Sequence, residues 1–141
     1  MNLLRSAVVA AALVGTATAA MAKDICLFDG GTYLVYKKVK SLSRPNSVIA
    51  LTGYAVGPSG IPPFTCPLHG TAIRTANGSV QVGNSVYCGS EPGFSLYNTQ
   101  NSGHTNLSFE GPYDGDSNGD GVADFQTTYS LVDCATVVTY P

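Results

Sequence analysis

Gly70-Thr71-Ala72-Ile73-Arg74-Thr75-Ala76-Asn77-Gly78-Ser79-Val80-Gln81-Val82-Gly83-Asn84-Ser85-Val86-Tyr87-Cys88 reads as two strand-like runs on either side of an Asn-Gly pair. Strand-favouring residues recur in both runs, and Asn-Gly is a strong short-range hairpin signal because both residues tolerate positive φ. The stretch predicts antiparallel strands over 70–75 and 80–88, joined by a tight turn.

Runs of the same kind recur outward from this hairpin, over 32–40, 48–56, 94–98, 105–110, 125–131 and 135–140, bounded by Gly, Pro, Asn and Ser. No segment after residue 22 shows a helical period. Short strands in succession predict an all-β chain: a small antiparallel up-and-down β-barrel, with a two-sheet β-sandwich as the alternative. Leu107 and Phe109 alternate with polar neighbours, as do Phe125, Thr127, Tyr129 and Leu131, so these strands should bury one face. Val48-Ile49-Ala50-Leu51 is apolar on both faces, which predicts a central strand covered on both sides. Gly57-Pro58-Ser59-Gly60-Ile61-Pro62-Pro63 contains three prolines that withhold ladder donors, so it is expected to be a long loop.

The N-terminus sets the compartment. Met1 to Arg5 gives a short charged start, an apolar run follows over 7–14, and the small-residue stretch ends Ala20-Met21-Ala22. This is the three-part pattern of a secretory signal peptide. The run is broken by Gly15, Thr16 and Thr18 and falls short of the roughly 20 apolar residues that span a bilayer. Cleavage after Ala22 is expected to leave a single domain over 23–141, secreted or periplasmic, with no transmembrane segment. Four cysteines then remain, Cys26, Cys66, Cys88 and Cys134. An even count in an exported small domain reads as two disulfides, and three pairings are open. A Cys26–Cys134 bridge would tie the beginning of the domain to its end, and Cys66–Cys88 would then close the middle. By loop-closure entropy such bridges contribute about 3 to 5 kcal/mol each.

Loss of Arg5 leaves six basic residues against nine acidic ones. Five of the six basic residues fall between Lys23 and Arg44, and seven of the nine acidic ones between Glu91 and Asp133. So few positive charges do not make a nucleic-acid surface. Lys37, Lys38 and Lys40 read as solvated strand and turn positions, with a contact patch for an acidic partner as the alternative.

The most specific chemistry is in Asp114-Gly115-Asp116-Ser117-Asn118-Gly119-Asp120-Gly121-Val122-Ala123-Asp124. Side-chain oxygens recur at alternate positions, and Gly121 follows where the backbone must turn sharply. Calcium takes six to eight hard oxygen ligands at about 2.3 to 2.6 Å in a flexible shell, which such a loop supplies. The expected ligands are Asp116, Asn118, Asp120, the Val122 carbonyl and Asp124, with Asp114 as an extra. An Asp/Gly-rich hairpin loop without metal is the competing reading. The segment resembles the calcium loops of FG-GAP repeats, and those of thrombospondin type 3 and dockerin modules, over residues 114–124 only. The resemblance to FG-GAP loops implies that the segment joins two strands, and the calcium implied is structural. It implies neither a propeller, for which the chain is too short, nor an EF-hand, because Thr127 stands where that loop needs a bidentate Glu.

Catalytic patterns are otherwise missing. No G-x-S-x-G, H-E-x-x-H or glycine-rich phosphate loop occurs. His69 and His104 stand alone in loop-like surroundings, and a carboxylate pair of Glu91 and Glu110 would need the fold to bring them together. Three function classes follow: a binding or inhibitory module whose partner is a protein, glycan or small molecule, a barrel carrier of a small apolar ligand, and a hydrolase.

Overall fold

The computed structural model describes residues 22–42, 44–60, 62–89, 93–98 and 109–141. The signal-peptide reading covers residues 1–22, of which 1–21 lie outside the described residues, as do His104 and Glu91. Eight strands form: β1 (Lys23–Phe28), β2 (Tyr33–Val39), β3 (Val48–Gly57), β4 (Phe64–Arg74), β5 (Val80–Val86), β6 (Phe94–Asn98), β7 (Gly111–Asp116) and β8 (Phe125–Val132). Each pairs antiparallel with its sequence neighbour, and β8 returns to β1 through Cys26↔Val132, Leu27↔Leu131 and Phe28↔Ser130. The chain is therefore an up-and-down β-barrel; closure removes the free sheet edges that a sandwich would keep. Among the described residues no helix is long and apolar enough to cross a membrane.

Alternation along the strands builds the core. In β5, Val80, Val82, Asn84 and Val86 are buried while Gln81, Gly83 and Ser85 between them are more open. Leu68 and Ala72 on β4 turn inward in the same way and join Leu27, Leu34, Tyr36, Leu51, Leu96, Tyr113 and Tyr129 in one cluster. The hairpin turn differs from a two-residue loop. Asn77 keeps negative φ and only Gly78 enters the left-handed region, at +90°. Thr75 N–H donates to Ser79 O at 2.8 Å, closing a three-residue loop with glycine at the left-handed position.

Several strand boundaries depart from expectation, each for a physical reason. Residues 23–28 form β1, although the charged Lys23-Asp24 start gives little strand signal. Residues 135–140 form no strand: Cys134–Thr136 is a 3-10 turn capped by Asp133. Because β8 already pairs with β1, no edge is left for a further strand. The Cys26–Cys134 disulfide instead draws the tail onto the outside of the barrel, and Tyr140 N–H donates to Thr65 Oγ1 at 2.5 Å. Val35 and Val56 face outward beside these two anchor points, yet are 2% and 0% exposed.

The seventh strand occupies Gly111–Asp116; the expected run at 105–110 lies outside the described residues over 105–108, and Phe109 is buried just before the strand. The expected double-sided burial of 48–51 does not occur: Leu51 is buried, but Val48 is 61% exposed because a barrel's outer face meets water. The Cys66–Cys88 disulfide ties β4 to the segment after β5. The two bridges thus realise the pairing that links the domain's ends and closes its middle.

Candidate functional site

One end of the barrel, here called the mouth, gathers the β1–β2 turn, the β3–β4 loop, the segment after β5 and the β7–β8 loop. Strand direction alone places them together, since odd strands run toward the mouth and even strands away from it. The opposite end carries the 75–79 turn, the end of β2, the end of β6 and the start of β7.

Below the mouth the barrel is filled by aromatic side chains. Tyr36, Phe109, Tyr113 and Tyr129 are each no more than 2% exposed. Tyr36 meets Phe109 edge to face at 5.4 Å, and Tyr113 meets Tyr129 in the same way at 5.4 Å. Buried hydroxyls need partners. Asn84 Nδ2 donates to Tyr36 Oη at 2.7 Å, Tyr113 Oη donates to the Phe109 carbonyl at 2.9 Å, and the two phenols also bond to each other. Burial raises the Tyr36, Tyr113 and Tyr129 phenols well above the ordinary tyrosine range, and the Asp29 carboxylate adds to the effect at Tyr129.

At the mouth, packing gives way to a cup of about 270 Å³. Phe64, Phe94, Phe125 and Tyr129 line it with Asp29, Thr32 and Ser117. Two glycines explain how the rings are seated. A Cβ on Gly57 would fall 2.1 Å from the Phe64 ring, and one on Gly115 would fall 2.0 Å from the Phe125 ring. Each ring covers a glycine across its strand pair, which leaves the opposite face for the cup. Asp29 is locked in place: Oδ1 accepts from Gly31 N–H at 2.9 Å and Thr32 N–H at 2.7 Å, while Oδ2 accepts from Thr127 Oγ1 at 2.9 Å.

The aspartate loop forms one rim of this cup through Ser117. Asp116 ends β7 and is only 4% exposed. Its Oδ1 accepts from the amides of Asn118 and Gly119, at 3.2 and 2.9 Å, and Oδ2 from that of Gly121 at 2.8 Å. Burial pushes this carboxyl up, but the loop amides together outweigh it and hold Asp116 below the usual carboxylate range. Asn118 accepts from Asp120 N–H at 3.2 Å, Asp120 from Val122 N–H at 2.9 Å, and Asp124 from Ser117 Oγ at 2.7 Å. Gly119 and Gly121 take positive φ, +77° and +86°. The sequence thus brings Asp116, Asn118, Asp120, Val122 and Asp124 into one turn. Asp114 stands apart on the strand, with Gln126 Nε2 donating to it at 3.3 Å. In this arrangement the loop's oxygens serve its own amides, and among the described residues no three His, Cys, Asp or Glu side chains converge as a metal centre.

A larger trough of about 510 Å³ crosses the outer wall, where Gly83 leaves a gap between Thr71 and Tyr97. Part of its polar wall is already engaged: Asn98 bonds the Val82 N–H and Val80 carbonyl, and Gln126 donates to Asp114. The mouth is the stronger candidate, because three phenylalanines, a tyrosine and a carboxylate converge on one space. His69, the described histidine, lies exposed on the outer face of β4 with its ring 5.9 Å from that of Tyr87. Glu110 accepts from Leu131 N–H at 2.8 Å. The aromatic cup was not legible beforehand, because Phe64, Phe94 and Phe125 are far apart in sequence and only strand direction unites them. No family model, curated protein or solved structure matches this chain.

Proposed function

We propose that this chain is an exported binding module that takes its target at the mouth of the barrel, with calcium steadying the 116–124 loop beside it. The observation that carries this reading is the change along the barrel axis from a filled, hydrogen-bonded middle to an open aromatic cup. An apolar pocket with a few fixed polar groups is the usual form of a binding site. A carrier of the enclosed kind would need the space that Tyr36, Phe109, Tyr113 and Tyr129 occupy, so the surface-binding reading is favoured. His69 meets a tyrosine rather than a carboxylate, which leaves the hydrolase reading without a pair of reacting groups among the described residues.

Export rests on the N-terminal pattern, and two disulfides suit an oxidising compartment. Calcium rests on the loop: Asp116, Asn118, Asp120, the Val122 carbonyl and Asp124 would hold it. Asn118, Asp120 and Asp124 are exposed and can exchange weak amide contacts for a cation. The ion would supply charge neutralisation at the rim.

Native and intact mass spectrometry of the exported protein tests the reading. The expected result is a chain beginning at Lys23 with no free thiol, one chelator-sensitive calcium, and a bound species lost in a Phe94→Arg variant that still melts cooperatively. A bound species retained by that variant would place the site elsewhere.

A further inference from the structure

The cup has a sign as well as a shape. The described charges at the mouth are Asp29 on the β1–β2 turn and Asp116, Asp120 and Asp124 on the β7–β8 loop, all acidic. Every described basic residue lies at the opposite end: Lys23 opens β1, Lys37 and Lys38 close β2, Lys40 and Arg44 follow it, and Arg74 closes β4. Asp24, Glu110 and Asp133 share that far end, with Asp24 paired to Lys37 at 2.7 Å. The field along the barrel axis therefore draws cations to the mouth and repels anions from it.

Inside the mouth, three phenylalanine rings and a tyrosine surround a space that also meets the Asp29 carboxylate. Metal ions keep their hydration shells and gain little from phenylalanine. An organic ammonium sheds water easily, and its polarised C–H groups sit well against ring faces, more so beside a fixed carboxylate. Neutral apolar ligands would use the rings but not the charge, and carboxylate ligands would be repelled.

We infer that the aromatic cup formed by Phe64, Phe94, Phe125 and Tyr129 over Asp29 binds an organic ammonium group, of the size of a trimethylammonium or smaller. The inference rests on the mouth being the binding end and adds the ligand's class. Gly57 and Gly115 seat two of the rings, and Gly31, Thr32 and Thr127 hold the carboxylate in place.

The test is a titration of the 15N-labelled protein, followed by amide spectra with calcium present and again with chelator. Three probes are used: choline, its neutral isostere 3,3-dimethyl-1-butanol, and benzyl alcohol. Choline should shift the amides of Gly30, Thr32, Ser117 and Phe125, with a dissociation constant on the order of 1 mM, and the neutral isostere should bind about tenfold more weakly. Phe125→Leu, which removes one ring at a residue already 39% exposed, and Asp29→Asn should each weaken choline by about tenfold with the amide spectrum otherwise intact. Equal binding of choline and the neutral isostere would overturn the ammonium inference while the mouth-binding reading stood. If no probe shifts the mouth of the folded protein, both are overturned.

Discussion

The middle of the barrel and its mouth are built from the same kind of side chain put to opposite uses. In the middle, Tyr36 meets Phe109 and Tyr113 meets Tyr129 edge to face, and the Tyr36 and Tyr113 hydroxyls are satisfied by Asn84, a carbonyl and each other. At the mouth, Phe64 and Phe125 lie over glycines and leave ring surface facing an open cup. An aromatic ring hemmed in by rings stabilises the fold, whereas one seated over a glycine keeps a face for something else. Position along the barrel axis, rather than residue type, separates structure from recognition here.

The largest effect should follow from emptying the middle. Tyr113→Ala removes a side chain with no exposed surface and leaves a cavity, so a loss of about 3 to 5 kcal/mol is expected. Melting should fall by roughly 10 to 20 °C for a domain of this size. A fall of only a few degrees would show that the middle is not the stabilising half.

Alkaline pH tests the same half without mutation. Tyr36, Tyr113 and Tyr129 have folded-state phenol pKa values raised above the ordinary one by burial. The folded state therefore keeps three protons that the unfolded chain releases above about pH 10. Stability is complete below that pH and falls as pH rises, by about 1.4 kcal/mol per unit for each phenol, or roughly 4 kcal/mol per unit for the three. The share of the phenolate absorbance that belongs to these three tyrosines should appear only together with the loss of far-ultraviolet dichroism. Ionisation of all the tyrosines while the sheet remained intact would break the contrast.

Calcium probes the mouth. At a hundredfold excess over its dissociation constant the ion should stabilise by about 2.7 kcal/mol, reversed by chelation. Asp116→Ala with Asp120→Ala should abolish the response and leave the barrel folded. A melting temperature indifferent to both calcium and chelator would leave the loop as a hydrogen-bonded Asp/Gly turn.

The smallest effect belongs to Phe125→Leu, a partly exposed ring at the rim, for which a cost under about 1.5 kcal/mol is expected. A cost comparable to that of Tyr113→Ala would mean that the cup is core after all.

Much of the barrel was legible in the sequence because closed antiparallel sheets are made of local signals. The Asn77-Gly78 turn, the alternation in 80–86 and the prolines of the 57–63 loop each act within a few residues. The run at 135–140 misled, since its apolar and β-branched residues suit a strand but no edge remains once β8 meets β1. The strand over Gly111–Asp116 carries no such local signal, since 114–116 belong to the aspartate-rich stretch expected to be loop, yet Tyr113 is buried and carries the strand. The aspartate loop stood out as local chemistry. The cup did not, because its rings come from β4, β6 and β8 and meet only through strand direction.

The shortest ladder in the barrel is the seam between β1 and β8, and the Cys26–Cys134 bridge stands beside it, with Cys26 itself a member of the ladder. The backbone from Cys26 to Cys134, a separation of 108 residues, becomes a covalent hoop running along the hydrogen-bonded one. Tension applied to the two chain ends is carried by sulfur and does not peel the seam, so the barrel is mechanically closed where its hydrogen bonding is thinnest. A single backbone cut at the rim opens the hoop without releasing a fragment.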